Sequence, residues 1–111
     1  MKVKVTEEKL YPIFKKFMET YFKKYEWRKD EIGIIWFVDP EGYGHLGYSG
    51  KNYLTIYRYI IDQILRYIPM EESMLELLMG RWVGETLQIE DIKSVVDPLP
   101  IPVRVGDTFP L

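Results

Sequence analysis

The chain has 111 residues, 47% of them hydrophobic and 15% aromatic, no cysteine and a formal net charge of −2. That length and apolar content describe one globular domain, residues 1–111, with a real core, and they exclude a disordered chain. The absence of cysteine excludes disulfides, thiolate metal sites and cysteine catalysis. Met1–Val5 alternates lysine and valine and reads as a short edge strand, its lysines discouraging further pairing. Thr6 is placed as an N-cap with Glu7 and Glu8 in the first turn. Leu10, Ile13, Phe14, Phe17, Met18, Tyr21, Phe22 and Tyr25 then recur at helical spacing, and Pro12 either kinks that helix or marks its start.

Glu26–Glu31 reads as a charged connector. Ile32–Val38 is a nearly unbroken apolar run of β-branched and aromatic residues, the pattern of a covered strand. Asp39-Pro40-Glu41-Gly42 supplies turn chemistry residue by residue. Tyr43–Tyr48 returns as a glycine-rich strand whose glycines mark a bulge or a close approach of backbone. After a turn at 49–52, the stripe Tyr53, Ile56, Tyr57, Ile60, Ile61, Ile64, Leu65 and Ile68 predicts a second helix, ended by Pro69. A third helix is predicted over Glu71–Leu87, with Gly80 and Gly84 kept for close packing, followed by one more short helical turn within Ile89–Val96. The proline-rich tail 97–111 is apolar enough to pack on the domain, with Val103–Val105 as an added edge strand. No internal repeat is visible. The expected fold is α+β: a small antiparallel sheet built on the 32–48 hairpin, with two to three amphipathic helices on one face.

Gly42-Tyr43-Gly44-His45-Leu46-Gly47 matches the glycine fingerprint of dinucleotide sites literally. The parallel strand–helix–strand context that gives the fingerprint its chemistry is missing, so a structural return strand is the better reading. His45, the single histidine, has no linear partner for acid–base work and reads as a structural or surface residue. The acidic pairs have no calcium-loop spacing, and one histidine excludes the common zinc sets, so no metal and no cofactor are expected.

Charge is divided unevenly: residues 1–29 hold nine Lys/Arg against four acids, residues 30–111 six against thirteen. Lys9, Lys15, Lys16, Lys23 and Lys24 form a basic face on the first helix, suited to phosphates or to an acidic protein surface. A helix-turn-helix at the second and third helices is excluded by the acidic character of the latter. Tyr43, His45 and Tyr48 of the hairpin, with Arg58, Tyr59, Arg66 and Tyr67 of the second helix, make the candidate binding set, because Tyr and Arg are the usual anchors of interfaces.

These observations point to a non-enzymatic protein-interaction module, an adaptor or inhibitor-like protein whose partner is a second copy of itself. A nucleic-acid binder using the basic face, and a nucleotide binder or small enzyme at His45, are the alternatives. No run approaches the ~18 apolar residues of a spanning helix, and MKVKVTEEK lacks the apolar core of a secretion signal. A soluble, cytoplasmic protein without membrane attachment is expected. The lack of alanine, the scarcity of amides and the abundance of Ile, Tyr, Lys and Glu resemble the small products of viruses of hyperthermophilic archaea.

Overall fold

The computed structural model describes residues 6–98, 101 and 103–111, and the chain runs α1 (Glu7–Tyr21), β1 (Glu26–Asp30), β2 (Ile35–Val38), β3 (Tyr43–Tyr48), β4 (Tyr53–Tyr57), α2 (Arg58–Tyr67), α3 (Glu72–Leu87), β5 (Lys93–Asp97), β6 (Val103–Arg104) and β7 (Thr108–Pro110). The architecture is α+β. Phe14, Met18 and Phe22, contributed by α1 and its C-cap, Ile60, Ile61 and Ile64 of α2, and Leu75, Leu78, Met79 and Val83 of α3 share one buried cluster with Phe37, Leu46, Leu54 and Ile56 of the sheet. The expected edge strand at Met1–Val5 lies outside the described residues.

The strand order is β5-β4-β3-β2-β1-β7, with β6 pairing beside the first residues of β3. Every pair is antiparallel except β4 and β5, which run parallel because α2 and α3 form the crossover between them. The sheet is therefore mixed, with seven strands among the described residues, and larger than the small antiparallel one expected.

Four segments account for the difference: β7, a strand of the tail beyond the expected Val103–Val105, and three segments that were read otherwise. Glu26–Asp30, read as a connector, is a strand held on both sides: Trp27 lies opposite Phe37 of β2, and Lys29 lies opposite Phe109 of β7. Its period-2 alternation is masked in the sequence because Trp27 is its only apolar residue. Tyr53–Tyr57, read as the start of a helix, is β4. Leu54 and Ile56 are buried there at strand period, while Tyr53 is 47% exposed, and the helix begins only at Arg58. Lys93–Asp97, read as helical, is β5, set against α3 by a hydrogen bond from Ser94 Oγ to the Glu76 carbonyl.

The N-cap and the two helical glycines fall where expected, whereas Pro12 does not mark the start of α1. Thr6 caps α1 in extended conformation through its carbonyl, which accepts from the Lys9 and Leu10 amides, while its hydroxyl makes no capping bond. The helix passes through Pro12, whose ring lies on the exposed side. A Cβ on Gly84 would come within 2.8 Å of the Ile89 carbonyl oxygen, and one on Gly80 within 3.1 Å of Ser94 Oγ, so both glycines serve the close packing of α3 against the chain leading into β5.

Candidate interaction surface

The central hairpin is built by one device used twice. Asp30 Oδ1 accepts from the amides of Ile32 (3.0 Å) and Ile34 (2.9 Å), and its Oδ2 accepts from Trp36 Nε1 (2.9 Å). Nine residues later, Asp39 Oδ1 accepts from the amides of Glu41 (2.9 Å) and Tyr43 (3.0 Å), and its Oδ2 lies 2.8 Å from His45 Nε2. Gly33 and Gly42 take the position three after each aspartate with φ of 92° and 93°, a backbone that L side chains rarely adopt. The pattern D-x-x-G-x-x-W/H is thus a short internal repeat that sequence reading did not find. It also explains why β2 starts at Ile35: Ile32, expected inside the strand, is 82% exposed at the turn tip.

The two rings end on opposite faces of the sheet. Trp36 lies over β3 where a Cβ on Gly44 or Gly47 would meet its ring at 2.5 Å and 3.1 Å, and it stacks on Tyr57. The space over Gly44 and Gly47 of the fingerprint-like run is therefore occupied by an indole. A bulge in the β2–β3 register, Phe37 facing Leu46 and Val38 facing Gly44, leaves His45 as the extra residue. It turns toward the helices, between the rings of Tyr25 and Tyr59 at 5.0 Å and 5.3 Å.

There His45 is 1% exposed. Burial works against the charge of Asp39, but hydrogen bonds from His45 and from the Tyr43 and Glu41 amides outweigh it and hold the carboxyl below its ordinary value. An ionised carboxylate only accepts, so His45 Nε2 carries the proton. Its Nδ1 is buried without a hydrogen-bond partner among the described residues. Burial, with the Asp39 charge nearby, pushes the Tyr25 phenol up to about 12. The arrangement stabilises a turn and a ring position, and the ring presents no atom to solvent.

The remaining predicted residues separate. Tyr43 is half-buried beside Arg104, whose guanidinium lies 5.8 Å from its ring centre. Tyr48 packs on the core. Arg58 pairs with Glu72 at the start of α3. Tyr59, Arg66 and Tyr67 stay exposed on α2. Tyr67 meets Phe17 and Tyr21 of α1 at ring distances of 5.6 Å and 5.2 Å, and Tyr21 donates to Gln63 Oε1 (3.2 Å). A hydrogen bond with Tyr67, followed by partial burial, raises the Tyr21 phenol above its ordinary value.

Two rows spaced four residues apart thus face one another: Ile13, Phe17 and Tyr21 on α1, and Tyr59, Gln63 and Tyr67 on α2. Ile13 is 57% exposed, Tyr21 44%, Tyr59 39% and Tyr67 58%, so the join is capped by apolar surface open to solvent. The α1 half was missed because its residues were counted with the inward stripe. The available signal was width: the apolar positions of α1 span more of the helix than one buried face can use, and only Tyr11, Phe14 and Met18 are buried within it.

Lys9, Lys15, Lys16, Lys23 and Lys24 are all exposed, and none makes an ion pair among the described residues. Helical spacing puts Lys9 and Lys16 along the outer border of the Ile13–Phe17–Tyr21 row.

No helix among the described residues is long and apolar enough to cross a membrane. Comparison with known proteins finds no family model that matches the chain, no curated protein similar to it and no solved structure that matches it.

Proposed function

We propose that the protein is a non-enzymatic interaction module that associates with a second copy of itself through the α1–α2 aromatic face. The observation that carries this reading is the exposed, pre-packed cluster of Tyr21 and Tyr67 around Phe17, with Arg66 and Tyr59 exposed on the same helix as Tyr67. Rings held by neighbouring rings lose little conformational entropy on binding, which is what makes tyrosine an efficient anchor. A two-fold arrangement of this face would lay one pair of rows on another and complete the burial that one chain leaves unfinished.

The burial of His45 and the filling of the β3 glycines by Trp36 support a structural role for the hairpin over a catalytic one. The test is solution mass. Sedimentation of the wild type is expected to give twice the 13.3 kDa of the chain, and Tyr67→Glu the single mass, with Ile32→Glu at the distant turn tip leaving the dimer intact. A wild type that stays at one chain mass at high concentration overturns the reading.

A second reading rests on the unpaired lysine row bordering those rings, a combination that also suits single-stranded nucleic acid. Affinity for an oligonucleotide that falls steeply with salt, and is lost in Lys9→Glu/Lys16→Glu, would favour it over self-association. The composition supports an origin at high temperature, possessed by a virus or its host. A melting midpoint above about 90 °C is the expected signature.

A further inference from the structure

A groove of about 900 Å³ runs between α3 and the chain leading into β5. Its apolar surface comes from Leu77, which is 58% exposed, and from Ile92. Glu76, Glu85, Glu90 and Asp91 line it, against Arg81 and Lys93. Arg81 is already turned to Glu7 (3.2 Å) and Glu8 (3.3 Å) of α1, and Glu85 accepts from the Tyr11 hydroxyl. Glu76, Glu90 and Asp91 enter no ion pair among the described residues. Three uncommitted carboxylates thus surround an apolar base, opposed only by Lys93.

The complement of this groove lies on the same chain. On the outward side of α1, Lys9 and Lys16 stand two turns apart, about 10 Å along the axis, with Pro12 and Ile13 between them. All four are exposed, and neither lysine makes an ion pair among the described residues. That ridge is apolar in the middle and cationic at both ends. It cannot reach the groove of its own chain. Tyr11, on the opposite side of α1, is the residue that packs against Arg81 and Glu85 of α3, so the ridge points away from the groove.

We propose that the groove of one copy receives the α1 ridge of a second copy, Lys9 and Lys16 meeting Glu76, Glu90 and Asp91 while Pro12 rests on Leu77 and Ile92. Charge complementarity selects this occupant: the carboxylates without partners and the lysines without partners lie on different faces of one chain, each beside exposed apolar surface. The contact is heterologous. One copy gives a ridge and the other a groove, and each keeps its second half unused, so copies add head to tail. This goes beyond the two-fold contact at the aromatic face and rests on different physics. Pairs between exposed charges weaken as salt is added, whereas the burial of rings does not.

The test is a charge exchange, made in the Tyr67→Glu chain so that the aromatic face does not contribute. In about 0.5 M salt that chain is expected to sediment at its single mass of 13.3 kDa, and in about 0.02 M salt at twice that mass or more. Glu76→Lys/Glu90→Lys and Lys9→Glu/Lys16→Glu, each added to it, are expected to stay at the single mass in low salt. Mixed in equal amounts, they are expected to recover the larger species, because each reversed surface now fits the other. A mixture that stays at one chain mass overturns the proposal, and so does either variant assembling alone. Glu90→Gln/Asp91→Asn, nearly isosteric and at exposed positions, is expected to at least halve the salt concentration at which the mass falls to that of one chain. No shift there overturns the proposal independently of the reversed chains. Should Tyr67→Glu leave a dimer in about 0.5 M salt, the reading of the aromatic face fails, while the salt-dependent gain and its recovery on mixing still decide the groove.

Discussion

The turns at Asp30 and Asp39 share a carboxylate that accepts two amides and one ring N–H, and they differ in the ring. Trp36 has a single polar atom, which only donates, so its turn is closed with nothing left over. His45 has two nitrogens, and the second is buried without a partner among the described residues. An unpartnered buried polar atom costs on the order of 1–3 kcal/mol, so the histidine turn is the weaker of two otherwise equal constructions. The environments sharpen the contrast. The indole covers glycine backbone on one face of the sheet, whereas the imidazole fills a slot between two tyrosines on the other. A repeated local motif is thus made specific by what each ring meets after the turn is formed.

Removing the rings gives the largest expected effects. Trp36→Ala loses the indole over Gly44 and Gly47, the stack on Tyr57 and the bond to Asp30, and is expected to cost about 3–5 kcal/mol in urea denaturation. His45→Ala should cost less, because truncation also removes the orphan nitrogen; equal losses would show that Nδ1 is satisfied in solution.

Next come the carboxylates. Asp39→Ala strands Nε2 of a ring that is 1% exposed and is expected to cost about 2–3 kcal/mol, more than Asp30→Ala, whose Trp36 partner is 8% exposed. The same comparison can be made with acid. At Asp30, burial opposes the charge, but bonds from Trp36 and the Ile34, Ile32 and Gly33 amides hold the carboxyl below its ordinary value, as the corresponding bonds do at Asp39. A depressed folded value means the contribution is complete above the unfolded value near about 3.9 and is lost as pH falls through the folded one. Wild-type stability is therefore expected to drop below about pH 4, with a shallower drop in Asp39→Asn. An unchanged acid limb would remove Asp39 from the account.

The smallest effects test the equality of the two backbones. Gly33→Ala and Gly42→Ala meet no close neighbour yet demand positive φ, so each should cost roughly 1 kcal/mol and the two should agree within error. A large difference would show that the turns are not the same device.

Much of the fold was legible in sequence because local periodicity and burial agree. The inner residues of α1, the whole of α3 and the hairpin turn at Asp39 each satisfy one pattern with one environment. Where two patterns overlapped, the reading failed. Ile56, Tyr57, Ile60 and Ile61 fit a helical stripe and also the end of a strand followed by a helix, and only Leu54, off the helical stripe and fully buried, separates the two. For the surface, Tyr59, Arg66 and Tyr67 were found from residue type, while Ile13, Phe17 and Tyr21 were not. Nothing within α1 says which part of a wide apolar stripe its neighbours will cover.

By itself the sequence determined the class of fold, the helical inner faces and the chemistry of the turns, since these depend on residues within a few positions of one another. Tertiary structure decided the rest. Glu26–Asp30 and Lys93–Asp97 became strands because neighbours distant in the chain offered backbone edges to pair with, and pairing energy of that kind carries no local pattern. The same holds for the aromatic face. Its rows come from two helices separated by four strands, and they form a surface only once the sheet has brought α1 and α2 side by side.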